Sequence, residues 1–223
     1  MLDLYKSESF RTVEYKDHSE WLLGRKETIG GSDSSCMVNA NPWKTLKELW
    51  YEKQPQFEPK EEMNEAMKYG TNAESHIRAL FQLKHPELDV QYKPDTTLIS
   101  NKYDFMSYSP DGLILDGDKK GILEIKTSKI MNHEMMSKWG NKDDPKVPEN
   151  YYIQTLHGLI VTGYDFVVFC AELRFLDNEA RIIERSFERE DVENDIQYLL
   201  YNEKKNWNKY FATHKKPNFE FEL

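Results

Sequence analysis

The chain has 223 residues, with 30 Lys and Arg against 39 Asp and Glu and a net charge of −9, a length that suits one large domain or a domain with an appended helix. Its two cysteines exclude a disulfide framework and a four-thiolate metal site, iron–sulfur clusters included, and point to a reducing compartment. No apolar run approaches a membrane span and the start lacks a signal-peptide layout, so a cytoplasmic protein without a membrane partner is expected; the acidic balance excludes a general nucleic-acid coat but not a local basic groove.

The first third reads as helices over 19–27, 32–39, 44–53 and 62–84. Arg25 precedes Ile29-Gly30-Gly31-Ser32-Asp33, where the glycines permit a sharp turn and Ser32 or Asp33 suits a helix cap. Free amides at that helix start, a serine hydroxyl and a guanidinium would equally make a phosphate cradle, and the pattern leaves both readings open. Gln54 to Glu61, with Pro55 and Pro59, is expected to be flexible. In the helix over 62–84, Met63, Met67, Gly70, Ile77, Leu80 and Phe81 fall at steps of three and four and mark a buried stripe. Glu74 lies on that stripe, so its carboxylate needs a partner, either a cation in a cleft or Arg78 one turn later.

Strands are expected near 95–100, 103–110 and 120–127, the last two carrying Ser109-Pro110-Asp111-Gly112 and Leu123-Glu124-Ile125-Lys126. Side chains two apart in a strand share a face, so Glu124 and Lys126 project together and Asp111 can face them across a hairpin. Ile122, Leu123 and Ile125 make the strand apolar on both sides, where a glutamate and a lysine are costly unless paired or metal-bound. Neighbouring carboxylates repel unless a divalent cation neutralises them, and a hard ion such as Mg²⁺ takes carboxylate oxygens, water and phosphate. Beside it Lys126 would orient or help deprotonate a water and offset charge on a phosphate, which is the chemistry of phosphodiester cleavage. The alternative is an ordinary hairpin with an exposed Glu/Lys pair.

Lys138 to Glu149 is polar and expected to be flexible; a helix over 149–162, strands over 165–174 and 180–187 and a helix over 189–212 follow. Cys170 lies in the apolar run Phe166 to Cys170 and reads as a core residue. Lys204, Lys205, Lys209, Lys215 and Lys216 stand together without an acid, suited either to complementing a helix end or to meeting a phosphate backbone. A three-strand run, one helix and two more strands fit an α/β fold with a mixed sheet, one domain over 1–223 with a C-terminal helix from about 189.

An aspartate, a strand and Glu-x-Lys resemble the PD-(D/E)xK nuclease signature. The ordered set of Arg25, Ile29-Gly30-Gly31-Ser32-Asp33, Asn41-Pro42-Trp43 with Glu48-Leu49-Trp50, Tyr69-Gly70-Thr71 with Glu74, Ser109-Pro110-Asp111-Gly112, Leu123-Glu124-Ile125-Lys126 and Tyr151-Tyr152-Ile153-Gln154 resembles the YqaJ viral recombinase family, the phage alkaline exonucleases that include lambda exonuclease, over about residues 21 to 175. The resemblance implies a restriction-endonuclease-like core, a central mixed β-sheet flanked by helices, and a two-metal 5′-to-3′ exonuclease acting on double-stranded DNA ends to leave 3′ single strands. It implies Mg²⁺, with Mn²⁺ as a substitute, on Asp111, Glu124 and the Ile125 backbone carbonyl, Lys126 at the attacking water, and Glu74 at a second metal. Arg25, Ser32, Ser109 and Gln154 match positions around the 5′-terminal phosphate. A homotrimeric ring, a single-strand annealing protein as partner and a phage or prophage origin are implied as well.

The chain departs from the family at Leu156, where many relatives carry a second glutamine, and shows no motif match beyond residue 180. The strand-opening wedge is not placed by motif; Gln54 to Met63 is its candidate region. An endonuclease on the same core and a DNA-binding module without catalysis are the alternatives.

Overall fold

The longest strand organises the molecule. In the computed structural model, which describes residues 2–58, 63–141 and 144–218, β6 runs over Lys119–Lys129 and is buried from Gly121 to Ile125. It is the centre of a five-stranded sheet in the order β2 (Asp89–Gln91), β5 (Gly112–Asp116), β6, β7 (Phe166–Arg174) and β8 (Ala180–Glu188). Only β6 and β7 pair in parallel, so the sheet is mixed, as expected. A parallel pair needs a crossover, here made by α5 (His133–Ser137) and α6 (Glu149–Thr162).

β5 is a strand that the sequence reading left out. It forms a hairpin with β6 through Gly117-Asp118, and Gly117, at φ +56°, supplies the left-handed backbone that tight hairpin turns require. The expected three-strand run is therefore divided. β3 (Thr96–Ser100) and β4 (Ser107–Tyr108) join the unanticipated N-terminal β1 (Phe10–Glu14) in a separate antiparallel sheet, ordered β1-β3-β4. The strand expected over 103–110 shrinks to two residues. A turn closes before it, with the Met106 amide donating to the Tyr103 carbonyl, and Pro110 beyond it has no amide to continue the ladder.

Helices cover both faces of the five-stranded sheet. α4 (Glu65–Lys84), capped by Asn64, buries Ile77 and Phe81 against Ile114, Leu123, Ile125, Val168 and Cys170. Of the expected stripe only Ile77 and Phe81 reach the core: Met67 and Leu80 are exposed, and Met67 with Gly70 lines a cleft. On the opposite face α6 is buried along Ile153 and Thr155–Thr162, the pattern of a helix enclosed on all sides. Gly158 permits its contact with β4, since a Cβ there would lie 2.9 Å from the Tyr108 ring.

The helix expected over 189–212 is a 3-10 turn at Arg189–Val192, α7 over Glu193–Asn206, and a π-helical turn at Trp207–Phe211 whose tryptophan stacks on Phe105 and Phe211. α7 packs Ile196 and Leu199 into the main core beside α6. Three short helices complete the N-terminal third: α1 (His18–Gly24), α2 (Gly31–Ser34) and α3 (Leu46–Glu52). Burial pushes the thiols of Cys36 and Cys170 up to about 12, so both are core residues without thiolate character. Positions 59–62, inside the expected flexible stretch and wedge region, and 142–143, inside the second flexible stretch, lie outside the described residues. Among the described residues no helix is long and apolar enough to cross a membrane.

Candidate active site

The site forms where the sheet opens. β5 pairs with β6 up to Gly112 opposite Leu123, and β6 then continues with β7 alone. Asp111, one residue before β5, fills the gap: its Oδ2 accepts the Ile125 amide at 2.7 Å. Amide and carbonyl of a strand residue face the same neighbour, so the Ile125 carbonyl is directed to this open side as well.

Glu124 and Lys126 alternate toward α6. Glu124 is 1% exposed and is held by three donors: the Tyr108 hydroxyl at 2.5 Å on Oε2, the Gln154 amide at 2.6 Å on Oε1, and the Lys126 ammonium, also on Oε1. Burial alone would lower the Lys126 pKa, but Glu124 and Asp111 outweigh it and raise the group above its usual value. It therefore stands as an ammonium at neutral pH, fit to orient a nucleophile and offset charge.

Glu74 enters from α4. Arg78 donates to its Oε1 at 2.7 Å, donates through Nε to the Asp111 carbonyl at 2.6 Å, and stacks on Tyr92 at 3.5 Å. One guanidinium thus ties the Glu74 carboxylate to the Asp111 backbone. Burial raises the Glu74 carboxyl above its ordinary range although Arg78 and Lys126 oppose it, and burial with the Glu124 charge raises Asp111 well above the usual carboxylate value. Among the described residues no three His, Cys, Asp or Glu side chains form a ready-made metal cage. The donors are instead carboxylate and carbonyl oxygens in a pocket where negative charges repel. That environment fits a hard divalent cation which completes its shell with water and substrate oxygens.

The second group lies on the adjoining wall. The Arg25 guanidinium donates to Ser32 Oγ at 2.7 Å and lies over the Trp21 ring at 4.7 Å, while Trp21 donates to Ser109 Oγ at 3.2 Å. Asp33 organises this wall from below. Its buried carboxylate accepts from Lys53 at 2.6 Å and from the Gly30 amide at 3.2 Å, and Lys53 also donates to the Arg25 carbonyl at 2.7 Å. Burial would raise Asp33, but the adjacent Lys53 ammonium, with Arg25 behind it, holds it far below the usual carboxylate range.

These placements amend several expectations. Of the two expected caps it is Asp33 that serves, its carboxylate accepting the Gly30 amide, while Ser32 is a partner of Arg25; the expected row of free amides is shortened accordingly. Gln154 bonds Glu124 and also lines the cleft that Arg25, Ser32 and Ser109 border. Glu74 has the Arg78 partner that periodicity offered as one alternative, yet it also lines the cleft that the other required. Leu156 is buried in the core, away from the cleft.

A cleft of about 400 Å³ is lined by Arg25, Ser32, Glu74, Ser109, Asp111 and Gln154, and an adjoining one of about 820 Å³ adds Ile125 and Lys126. Glu124, 1% exposed, lines neither cleft but lies one hydrogen bond behind Lys126 and Gln154, which do. All nine expected residues are thus brought to one place. Sequence reasoning missed Tyr108, Trp21 and Lys53, whose roles depend on contacts across 16 to 88 positions that no local pattern reports.

A family model described as YqaJ-like viral recombinase domain matches residues 20–165. "Uncharacterized protein YqaJ" of Bacillus subtilis (strain 168) is 33% identical over 147 residues, 66% of this chain and 43% of that protein, so the chain spans less than half of that relative. Among solved structures, the alkaline exonuclease LHK-Exo of Laribacter hongkongensis is 21% identical with a TM-score of 0.56, covering 88% of this chain and 98% of that one. The same protein in complex with dAMP matches with the same identity and coverage and a TM-score of 0.57. At this identity the likeness is one of fold.

Proposed function

The chain belongs to the YqaJ-like viral recombinase family, and from that premise we propose that it is a magnesium-dependent exonuclease that resects double-stranded DNA ends from 5′ to 3′. The product is a 3′ single strand suited to recombination by annealing. One observation carries the reading: Asp111 and Lys126 at the opening of the sheet, with Glu124 buried directly behind Lys126, line the clefts that the Arg25, Ser32 and Ser109 wall borders. A reactive centre beside an anion-binding wall is the arrangement that an enzyme needs to measure one nucleotide from a phosphorylated end. The fold relative is named an alkaline exonuclease, and one of its structures holds a deoxynucleotide, dAMP.

Asp111, Glu124 and the Ile125 carbonyl are the residues to hold Mg²⁺, or Mn²⁺ in its place, with Glu74 toward a second ion. Bound there, the metal supplies positive charge against the phosphate and acidifies a water. Lys126 orients that water and offsets charge on the phosphate. Arg25 pairs with the terminal phosphate through its planar fork, and Ser32 and Ser109 offer hydroxyls beside it. Gln154 and Tyr108 keep the Glu124 carboxylate in place.

The same reading includes a trimeric ring that encloses DNA, which would let an acidic chain keep its substrate with few lysines, and a single-strand annealing protein as partner. The experiment compares a linear duplex with a covalently closed circle of the same sequence. Digestion of the linear form alone is expected; nicking of the circle would make the protein an endonuclease on this core.

A further inference from the structure

His157 and Glu203 form an ion pair with both side chains fully buried, His157 Nδ1 lying 2.9 Å from Glu203 Oε1. Glu203 comes from α7, beyond the family match, and among the described residues its Oε2 finds no hydrogen-bond partner. Such a pair is an unfavourable way to fill a core: both charges lose their hydration, and a well-packed apolar pair is often as stable or more so. The other ring nitrogen shows what the pair holds. His157 Nε2 lies 2.9 Å from the Ser107 carbonyl oxygen, which can only accept, so Nε2 carries a hydrogen.

Ser107 is a junction. Its amide donates to the Ile29 carbonyl at 2.9 Å, and its hydroxyl shares a hydrogen bond with Thr28 at 2.6 Å, immediately before Gly30-Gly31-Ser32. The next residue is Tyr108, which grips Glu124, and then Ser109, which faces the cleft. β4 is short: its ladder with β3 spans Ser107 and Tyr108, and one isolated bridge pairs the preceding Met106 with Ile29. His157 secures it from the side by the carbonyl of Ser107.

We propose that Glu203, acting through His157, is a positioning residue: it fixes the segment Ser107-Tyr108-Ser109, so that the C-terminal helix sets the geometry of Glu124 and of the Ser109 wall. The proposal rests on the exonuclease reading for its kinetic test, and on the fold alone for its second readout. Glu203 fixes the ring orientation by accepting from Nδ1, and burial, which would lower the imidazole pKa, is outweighed by the Glu203 carboxylate, which raises it.

The test compares wild type with Glu203→Gln, Glu203→Leu and the double variant His157→Phe with Glu203→Leu, on 5′-phosphorylated linear duplex and by amide hydrogen exchange. Gln can donate to an uncharged Nδ1 and leave Nε2–H on Ser107, so Glu203→Gln is expected to keep kcat. The double variant replaces the ion pair by apolar groups and should fold with a melting temperature near wild type. Its kcat is expected to fall roughly 10- to 100-fold with KM for DNA ends little changed, the scale of a small misplacement of reacting groups. Exchange at residues 107–109 should accelerate. Should the double variant fail to fold, Glu203→Leu against Glu203→Gln gives the same comparison. Wild-type kcat and unchanged exchange in the folded apolar variant would overturn the proposal, as would an equal loss in Glu203→Gln. A wild type that digests no duplex would instead refute the exonuclease reading, and the exchange comparison would then decide the pair.

Discussion

Asp111 accepts the Ile125 amide at 2.7 Å, taking the place of the strand that stops one residue away, at Gly112 opposite Leu123. A carboxylate thus substitutes for a sheet neighbour, and the price in stability is visible in its raised pKa beside Glu124. Asp111→Asn keeps an acceptor for that amide and removes the repulsion, so the metal-free variant should melt at or above the wild-type temperature. Cleavage should fall by orders of magnitude, as it should in Glu124→Ala and Lys126→Ala, because such groups act as a unit. Adding Mg²⁺ should raise the melting temperature of wild type and not of Asp111→Asn, as expected for a ligand that binds only the folded state. Near-normal turnover in purified, folded Lys126→Ala would remove the assignment.

Glu74 is tested through its charge. Glu74→Gln preserves volume and a hydrogen bond to Arg78 but loses the anion, so activity should drop and the Mg²⁺ concentration for half-maximal rate should rise. Arg78→Lys, which cannot hold Glu74 and the Asp111 carbonyl in one planar fork, should shift the metal requirement in the same direction. A metal titration identical to wild type in Glu74→Gln would reduce the residue to a helix-surface ion pair.

Arg25 separates a phosphate pocket from an ordinary surface contact. Arg25→Ala should slow digestion of 5′-phosphorylated duplex far more than of 5′-hydroxyl duplex, narrowing the gap between the two, and Arg25→Lys should rescue only part of the rate. Equal effects on both substrates would mean that Arg25 does no more than pair with Ser32.

The Asp33–Lys53 pair, with side chains 5% and 9% exposed, makes a stability prediction with a defined pH window. Lys53→Met leaves a buried carboxylate unpaired and should cost about 3–5 kcal/mol at neutral pH. The folded pKa of Asp33 is depressed, so the pair's contribution is present above the ordinary value of 3.8 and is lost as pH falls through the lower folded value. The difference between wild type and variant in denaturant unfolding should therefore be full at pH 7 and shrink below about pH 4. A difference independent of pH would assign it to packing alone.

The reach of the sequence ended where contacts cease to be periodic. Glu124 and Lys126 were legible because strand alternation places them on one face, and Asp111 because a Pro-Asp-Gly break precedes a strand. The hairpin strand Gly112–Asp116 is absent from the expected strands although Asp116-Gly117 carries a tight-turn signal. That omission put 95–100 and 103–110 in the central sheet, whereas they pair with Phe10–Glu14 in a second one. Nothing local announces Tyr108 as the partner of Glu124, or Glu203 as the partner of His157, 46 positions away. Such pairs are set by the docking of whole elements.

If these residues degrade DNA from 5′ ends with a divalent metal, polarity and metal dependence can be read in one assay: linear duplex labelled at either the 5′ or the 3′ terminus, incubated with Mg²⁺ and then with EDTA. Early release of the 5′ label as mononucleotide, a 3′ label retained on a lengthening single strand, and arrest on chelation are expected; early release of the 3′ label, or digestion that continues in EDTA, would refute the assignment.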